Sequence, residues 1–123
     1  MIDLIEVFDR ADQGLLISDT DYYMGRFVPK LAEVILRHGI QWDKKTIVNT
    51  DDDLADRVFQ AAIDLLAETG VYCTDTSRVM DFTRDEILRA IEQSPRQTKF
   101  GEGREAKTMY GRSVDDPSRP WIH

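Results

Sequence analysis

The sequence is short of reactive side chains. Its 123 residues include one cysteine, Cys73, and two histidines, His38 and His123. A single thiol excludes an internal disulfide and fits a reducing compartment. No apolar run approaches the roughly 18 residues that cross a bilayer. The first six residues carry Asp3 and Glu6 where a signal peptide needs basic side chains. These shortages point to a cytoplasmic chain with no membrane span. Positive charge is scarce too. The 16 Lys and Arg are outnumbered by 23 Asp and Glu, for a net charge of -7. That balance argues against general nucleic-acid binding.

What remains is the composition of a folded domain: 41% hydrophobic and 32% charged residues. The length suits one modest core. Charge is unevenly spread, with a net of -9 over residues 1–93 and +2 over residues 94–123. The change falls at Ser94-Pro95, where helical periodicity also stops. Two regions are therefore expected: a helical region with a short hairpin at 1–93, and short strands with a C-terminal arm at 94–123.

Periodicity places the elements. Residues 2–12 put Leu4, Ile5, Phe8 and Ala11 on one helical face, with Gly14 as the stop. Leu15, Leu16 and Ile17 read as a brief apolar link. Ser18 and Thr20 are candidate N-caps for a helix over 22–38. Pro29 lies inside it and predicts a kink, or two helices meeting there. Gly39 is placed to end it. Thr50 reads as the cap of the longest helix, whose Leu54, Ala55, Val58, Phe59, Ala62, Ile63, Leu65 and Leu66 cover most of its circumference. So wide an apolar arc predicts burial on more than one side.

Residues 70–91 organise the rest. Gly70 stops the long helix. Residues 71–73 and 78–82 read as a hairpin around a polar turn. Thr83 and Glu86 form a capping box at the head of a short helix carrying Ile87, Leu88 and Ile91. Strands are expected near 98–100 and 107–110, joined by a turn at Gly101-Glu102-Gly103-Arg104. Residues 112–120 read as a linker or arm. The class is α+β and helix-rich.

Few constellations carry chemistry. Asp51, Asp52 and Asp53 lack the alternation and glycine of a calcium loop and suit a helix dipole. Cys73 has no histidine near it in sequence and reads as a buried structural thiol. His38 suits the end of a helix dipole. Gly101 and Gly103 make half of a phosphate loop, without the third glycine or the helix it needs. Arg96, Lys99, Arg104, Lys107 and Arg112, with Phe100 and Tyr110 among them, form a loose basic run. Such a run binds RNA or an acidic partner in some proteins, and reads here as a solvated strand face. No catalytic, cofactor-binding or metal residue is assigned.

Residues 70–87, with the unusual run Tyr72-Cys73-Thr74-Asp75-Thr76, closely resemble the N-terminal part of monomethylamine methyltransferases. The later run Gly101-Glu102-Gly103-Arg104-Glu105-Ala106-Lys107 does too. The Pro29 helix, the 50–68 helix and Arg112-Ser113-Val114 fall in that family's order. Trimethylamine methyltransferases are similar more distantly. The resemblance implies an N-terminal region that precedes a TIM barrel, with pyrrolysine in the barrel. It implies transfer of the methyl group of monomethylamine to a corrinoid protein in methylamine-dependent methanogenesis. The partners it implies are that corrinoid protein, the small-molecule substrate and further copies of the enzyme, and the corrinoid is carried by the partner. The barrel and its pyrrolysine have no counterpart in these residues, so no catalytic residue carries over. The alternative is a stand-alone binding or assembly module for a corrinoid protein or methyltransferase subunit. On the first reading, part of the apolar face of residues 54–66 and of the Trp121-Ile122 end is expected to be exposed here and covered in the whole enzyme.

Overall fold

The computed structural model describes residues 3–113 and 115–119. Ile2, at the start of the first expected helix, and Trp121, Ile122 and His123 lie outside the described residues. Two compact units follow one another, residues 1–92 and 93–123.

In the first unit α1 (Leu4–Gln13) begins at Asp3, whose carboxylate accepts the Ile5 N–H at 3.3 Å. Its packed side is not the expected one. Val7, Arg10, Ala11 and Gly14 are the half-buried positions, while Leu4, Ile5 and Phe8 stay 64–67% exposed. Periodicity located the apolar stripe but could not say that the neighbouring strand sits on its flank. Gly14 has φ -63°, so no left-handed turn requires glycine there. The requirement is steric. A Cβ at Gly14 would lie 2.0 Å from the Val79 carbonyl oxygen.

Leu15–Leu16, expected as a mere link, is strand β1. It pairs antiparallel with β3 (Arg78–Met80), and β3 pairs antiparallel with β2 (Val71–Cys73). The order β1-β3-β2 puts β3 at the centre, with Val79 opposite both Leu15 and Tyr72. Val79 is fully buried. A two-residue strand has no detectable period, so its pairing was invisible until β3 was placed beside it.

Ser18 caps the next helix as expected: its Oγ accepts the Asp21 N–H at 3.1 Å and its carbonyl the Tyr22 N–H at 2.9 Å. Residues Asp21–Phe27 then form a π-helical stretch that runs directly into α2 (Val28–Arg37). The Val28 N–H reaches back to the Tyr23 carbonyl, the longer π spacing. Pro29 stands in the first turn of α2. Proline offers no N–H and crowds the carbonyl four residues earlier, so a widened turn just before it absorbs the residue without a break. Two helical segments therefore meet at the proline. Gly39 closes α2 with φ +58°, its N–H donating to the Leu36 carbonyl and the Ile40 N–H to the Ile35 carbonyl. This is the paired bonding of a Schellman motif.

Asp51, not Thr50, caps α3 (Asp52–Thr69), its carboxylate accepting the Leu54 N–H at 3.1 Å. A carboxylate there adds charge–dipole attraction that a hydroxyl lacks. Only the second half of α3 is packed. Ala61, Ile63 and Thr69 are buried, whereas Val58 and Phe59 remain 45% and 48% exposed. Over that half the wide apolar arc is covered from more than one side, as expected: Leu65 lies against α2 with Leu31 and Val34, and Leu66 against Val71, Phe82 and Ile87. Gly70 ends α3 with φ +68°, and a Cβ there would meet the Met80 carbonyl oxygen at 2.7 Å. The hairpin β2–β3 follows, then α4 (Arg84–Gln93), with Ile87 buried beneath it.

In the second unit β4 (Gln97–Phe100) pairs antiparallel with β5 (Lys107–Tyr110) across a connection containing the 3-10 turn Gly103–Glu105. Nearly every residue of the ribbon is exposed.

Three glycine substitutions separate close approach from ordinary helix propensity. Gly14→Ala drives a methyl group into a backbone carbonyl and should cost about 3 kcal/mol. Gly70→Ala meets both a clash and a positive φ and should cost at least as much. Gly25→Ala, with nothing within 4 Å, should be neutral or gain up to about 1 kcal/mol. Urea denaturation of the three variants reads the order, and a Gly14→Ala chain as stable as wild type removes the steric account.

Candidate functional site

The densest polar chemistry in the first unit joins helices that lie far apart in sequence. The Arg10 guanidinium of α1 donates from Nη2 to Glu86 Oε1 at 2.5 Å and from Nη1 to Glu86 Oε2 at 3.2 Å. It also donates to the Asp81 carbonyl at 2.7 Å and to Glu6 Oε1 at 2.5 Å. Its plane lies over the Phe82 ring, 4.9 Å from the centroid. Glu86 accepts the Thr83 N–H at 2.8 Å, and the Glu86 N–H reaches Thr83 Oγ1 at 3.3 Å. The capping box expected from sequence is therefore present, and its glutamate has a second use. Hydrogen bonding from Arg10, then from Thr83, holds the Glu86 carboxyl at about 2. Hydrogen bonding to Glu86, then to Glu6, pushes the Arg10 guanidinium well above its ordinary value.

A second junction ties α2 to α3. Glu68 accepts from Arg37 Nη1 at 2.6 Å and pairs with Lys30 Nζ at 3.1 Å. Arg37, then Lys30, hold its carboxyl at about 2. An aromatic group fixes the π-helical stretch. Tyr22 stacks on Tyr72 with centroids 5.0 Å apart, and its hydroxyl donates to the Gly70 carbonyl at 3.0 Å.

A third cluster surrounds a cleft of about 510 Å³ lined by His38, Asp56, Arg57, Gln60, Asp64 and Arg84. His38 Nε2 lies 2.8 Å from Asp64 Oδ2, and Arg84 binds both Asp64 and Gln60. Arg57 donates to the His38 and Gly39 carbonyls at the end of α2. Here His38 has a specific carboxylate partner, which a helix-dipole role did not foresee. Arg84 is thus paired with a carboxylate, whereas Arg57 directs Nη1 to two carbonyls and its buried Nε has no hydrogen-bond partner among the described residues.

The remaining sequence candidates do not converge. Asp52 and Asp53 stay in the exposed first turn of α3, with Asp53 3.4 Å from Arg57 Nε. No group of three or more His, Cys, Asp or Glu among the described residues is placed to hold a metal ion. Cys73 was expected to be buried. It is half-buried, because β2 is an edge strand of the sheet. Hydrogen bonding from Thr76, through side chain and backbone, holds its thiol below the ordinary value, with the Asp75 charge opposing. Gly101 and Gly103, at φ +77° and +57°, serve the β4–β5 connection. The basic run is divided by the pleat. Lys99 faces Thr108 while Lys107 faces Phe100, so the two lysines point to opposite sides of the ribbon. No helix among the described residues is long and apolar enough to cross a membrane.

A family model described as monomethylamine methyltransferase MtmB matches residues 2–123. The chain belongs to the monomethylamine methyltransferase family. Monomethylamine methyltransferase MtmB of Methanosarcina mazei is 35% identical over 120 residues, which are 98% of this chain and 26% of that protein. A monomethylamine methyltransferase of Methanosarcina acetivorans shows the same identity and coverage. The crystal structure of the Methanosarcina barkeri monomethylamine methyltransferase superimposes with a TM-score of 0.82 at 33% identity, over 94% of this chain and 25% of that one. A hydroxylamine MtmB complex superimposes equally well. The resemblance seen around residues 70–87 thus extends along the whole chain, and the α+β fold is that of the family's N-terminal region. The chain spans about a quarter of the length of the monomethylamine methyltransferases it matches.

The Arg10–Glu86 and Glu68 junctions contribute to the acid response of the first unit. Both carboxylates ionise more readily in the folded chain than at their ordinary 4.5. Their contribution is complete above about pH 4.5 and drains away as pH falls toward 2. The melting midpoint should therefore drop progressively between pH 5 and 2. Glu86→Gln should cost about 1–2 kcal/mol at pH 7 and flatten that slope. Thermal melts across this range decide the matter, and an unchanged slope in the variant removes Glu86 from the account.

Proposed function

We propose that this chain forms the N-terminal part of a methyltransferase that moves the methyl group of monomethylamine to a corrinoid protein. The observation that carries the reading is the family match over residues 2–123, supported by the same fold in a solved methyltransferase. In this reading monomethylamine is the donor, and the corrinoid belongs to the acceptor protein. The whole enzyme associates as a homo-oligomer and works in the cytoplasm. The chain itself contributes positioning. Its junctions at Arg10, Glu68 and Asp64 fix helices relative to one another, and the reacting groups belong to the part of the enzyme it does not span. The match along the full chain favours this over a stand-alone binding module.

Two assays test it. The isolated chain should transfer no methyl group from monomethylamine to a corrinoid protein. A chimera in which this chain replaces the matched first quarter of the Methanosarcina mazei relative should transfer it. Transfer by the isolated chain, or a folded chimera without activity, overturns the reading.

A further inference from the structure

The helices α2 and α3 enclose an apolar groove of about 230 Å³, lined among others by Leu31, Val34, Ile35, Ile40, Val58 and Leu65. Val34 forms its floor at 1% exposure. Beyond Ile40 the chain enters the loop to α3. Asp43 closes a turn in that loop by accepting the Lys45 N–H at 2.9 Å and the Thr46 hydroxyl at 2.8 Å. On either side of this turn stand Trp42, Ile47 and Val48, exposed by 82%, 99% and 74%. Large apolar side chains so fully in water, beside an open apolar groove, mark a contact surface.

We infer that the α2–α3 groove and the Trp42–Val48 edge dock the polypeptide that makes up the other three quarters of a family member. Three observations select this occupant. The groove is smaller than the roughly 300–1,000 Å³ of small-molecule pockets and suits a few apolar side chains of a protein. Its lining offers almost no polar group to orient a ligand. The same fold, at a TM-score of 0.82, occurs inside a solved chain about four times as long, which leaves three quarters of that chain available to cover the surface. The inference rests on the proposed role as part of that enzyme, and goes beyond it by assigning the surface.

Because Trp42 and Ile47 touch so little, the double variant Trp42→Ser, Ile47→Ser should leave the melting midpoint of the isolated chain unchanged. It should reduce the chain's binding of a hydrophobic dye. In the chimera with the Methanosarcina mazei relative, the same pair should lower the midpoint by several degrees. A chimera whose midpoint ignores the pair overturns the assignment, as does one whose two parts melt separately. So does self-association of the isolated chain that disappears in the double variant on size exclusion, since it gives the surface to a second copy. Methyl transfer by the chimera reports on the enzyme reading independently. An active chimera indifferent to the double variant keeps that reading and removes this surface.

Discussion

Everything in the first unit converges on Val79, where there is no spare room. Its residue faces Leu15 on one side and Tyr72 on the other. Its carbonyl oxygen lies where a Cβ of Gly14 would be, and its Cγ1 would be 2.8 Å from a Cβ of Gly70. Two glycines 56 positions apart are thus required by one valine. A one-residue slip of β3 would turn Val79 outward and bring a different side chain against both glycines, so register is specified on three sides at once. The helices inherit that precision. α1 ends on Gly14 and α3 ends on Gly70, so the exits of both are fixed by the same central residue.

Ion pairs do the second part of the work, and the acid excess shapes how. The cations of this unit are largely committed: Arg10 to Glu86, Arg26 to Asp81, Lys30 and Arg37 to Glu68, Arg84 to Asp64. Exposed pairs contribute little singly, because water screens them and ordering long side chains is costly. Arg10 differs because it is about four-fifths buried and reads four acceptors and a ring at once. Holding a planar fork against several partners loses less entropy per bond than holding separate pairs. It fixes the rotation of α1 about its own axis, and so decides that Leu4, Ile5 and Phe8 face away from the sheet.

How far the sequence spoke follows from the range of each interaction. The caps at Ser18, Gly39 and Thr83–Glu86 were legible because both partners lie within five residues. The β2–β3 hairpin and the two-strand ribbon were legible because in each a short polar or glycine-containing connection joins strands that are neighbours in sequence. The rotation of α1 was not, since Arg10 and Glu86 are 76 residues apart, and hydrophobic spacing reports an apolar stripe without saying what meets it. Thr50 and Asp51 are both good caps, and only backbone geometry chooses between them. The His38–Asp64–Arg84 cluster draws on three separate helical regions and has no local signature. The kinship itself was legible in the hairpin run 72–76, where an edge strand and polar turn carry a sequence that packing alone would not dictate.

The two kinds of surface in this fold answer different demands. The residues around Val79 are satisfied by the chain itself: strands paired, helix ends capped, glycines seated. The outer faces of α1, α2 and α3 are not, although their apolar side chains are as regular as those of any core helix. A sequence that only had to stand alone in water would gain solubility by placing polar residues at Trp42 and Ile47, at little cost to packing that these positions barely share. Their being large and apolar is explained if the self-contained sheet sets the geometry and the outward helical faces, with the α2–α3 loop, meet further polypeptide. The relatives are about four times as long as the matched region, so the inferred occupant corresponds to the remainder of such a chain. On that inference the sheet acts as the frame, and the helices carry its precision outward to the docking surface.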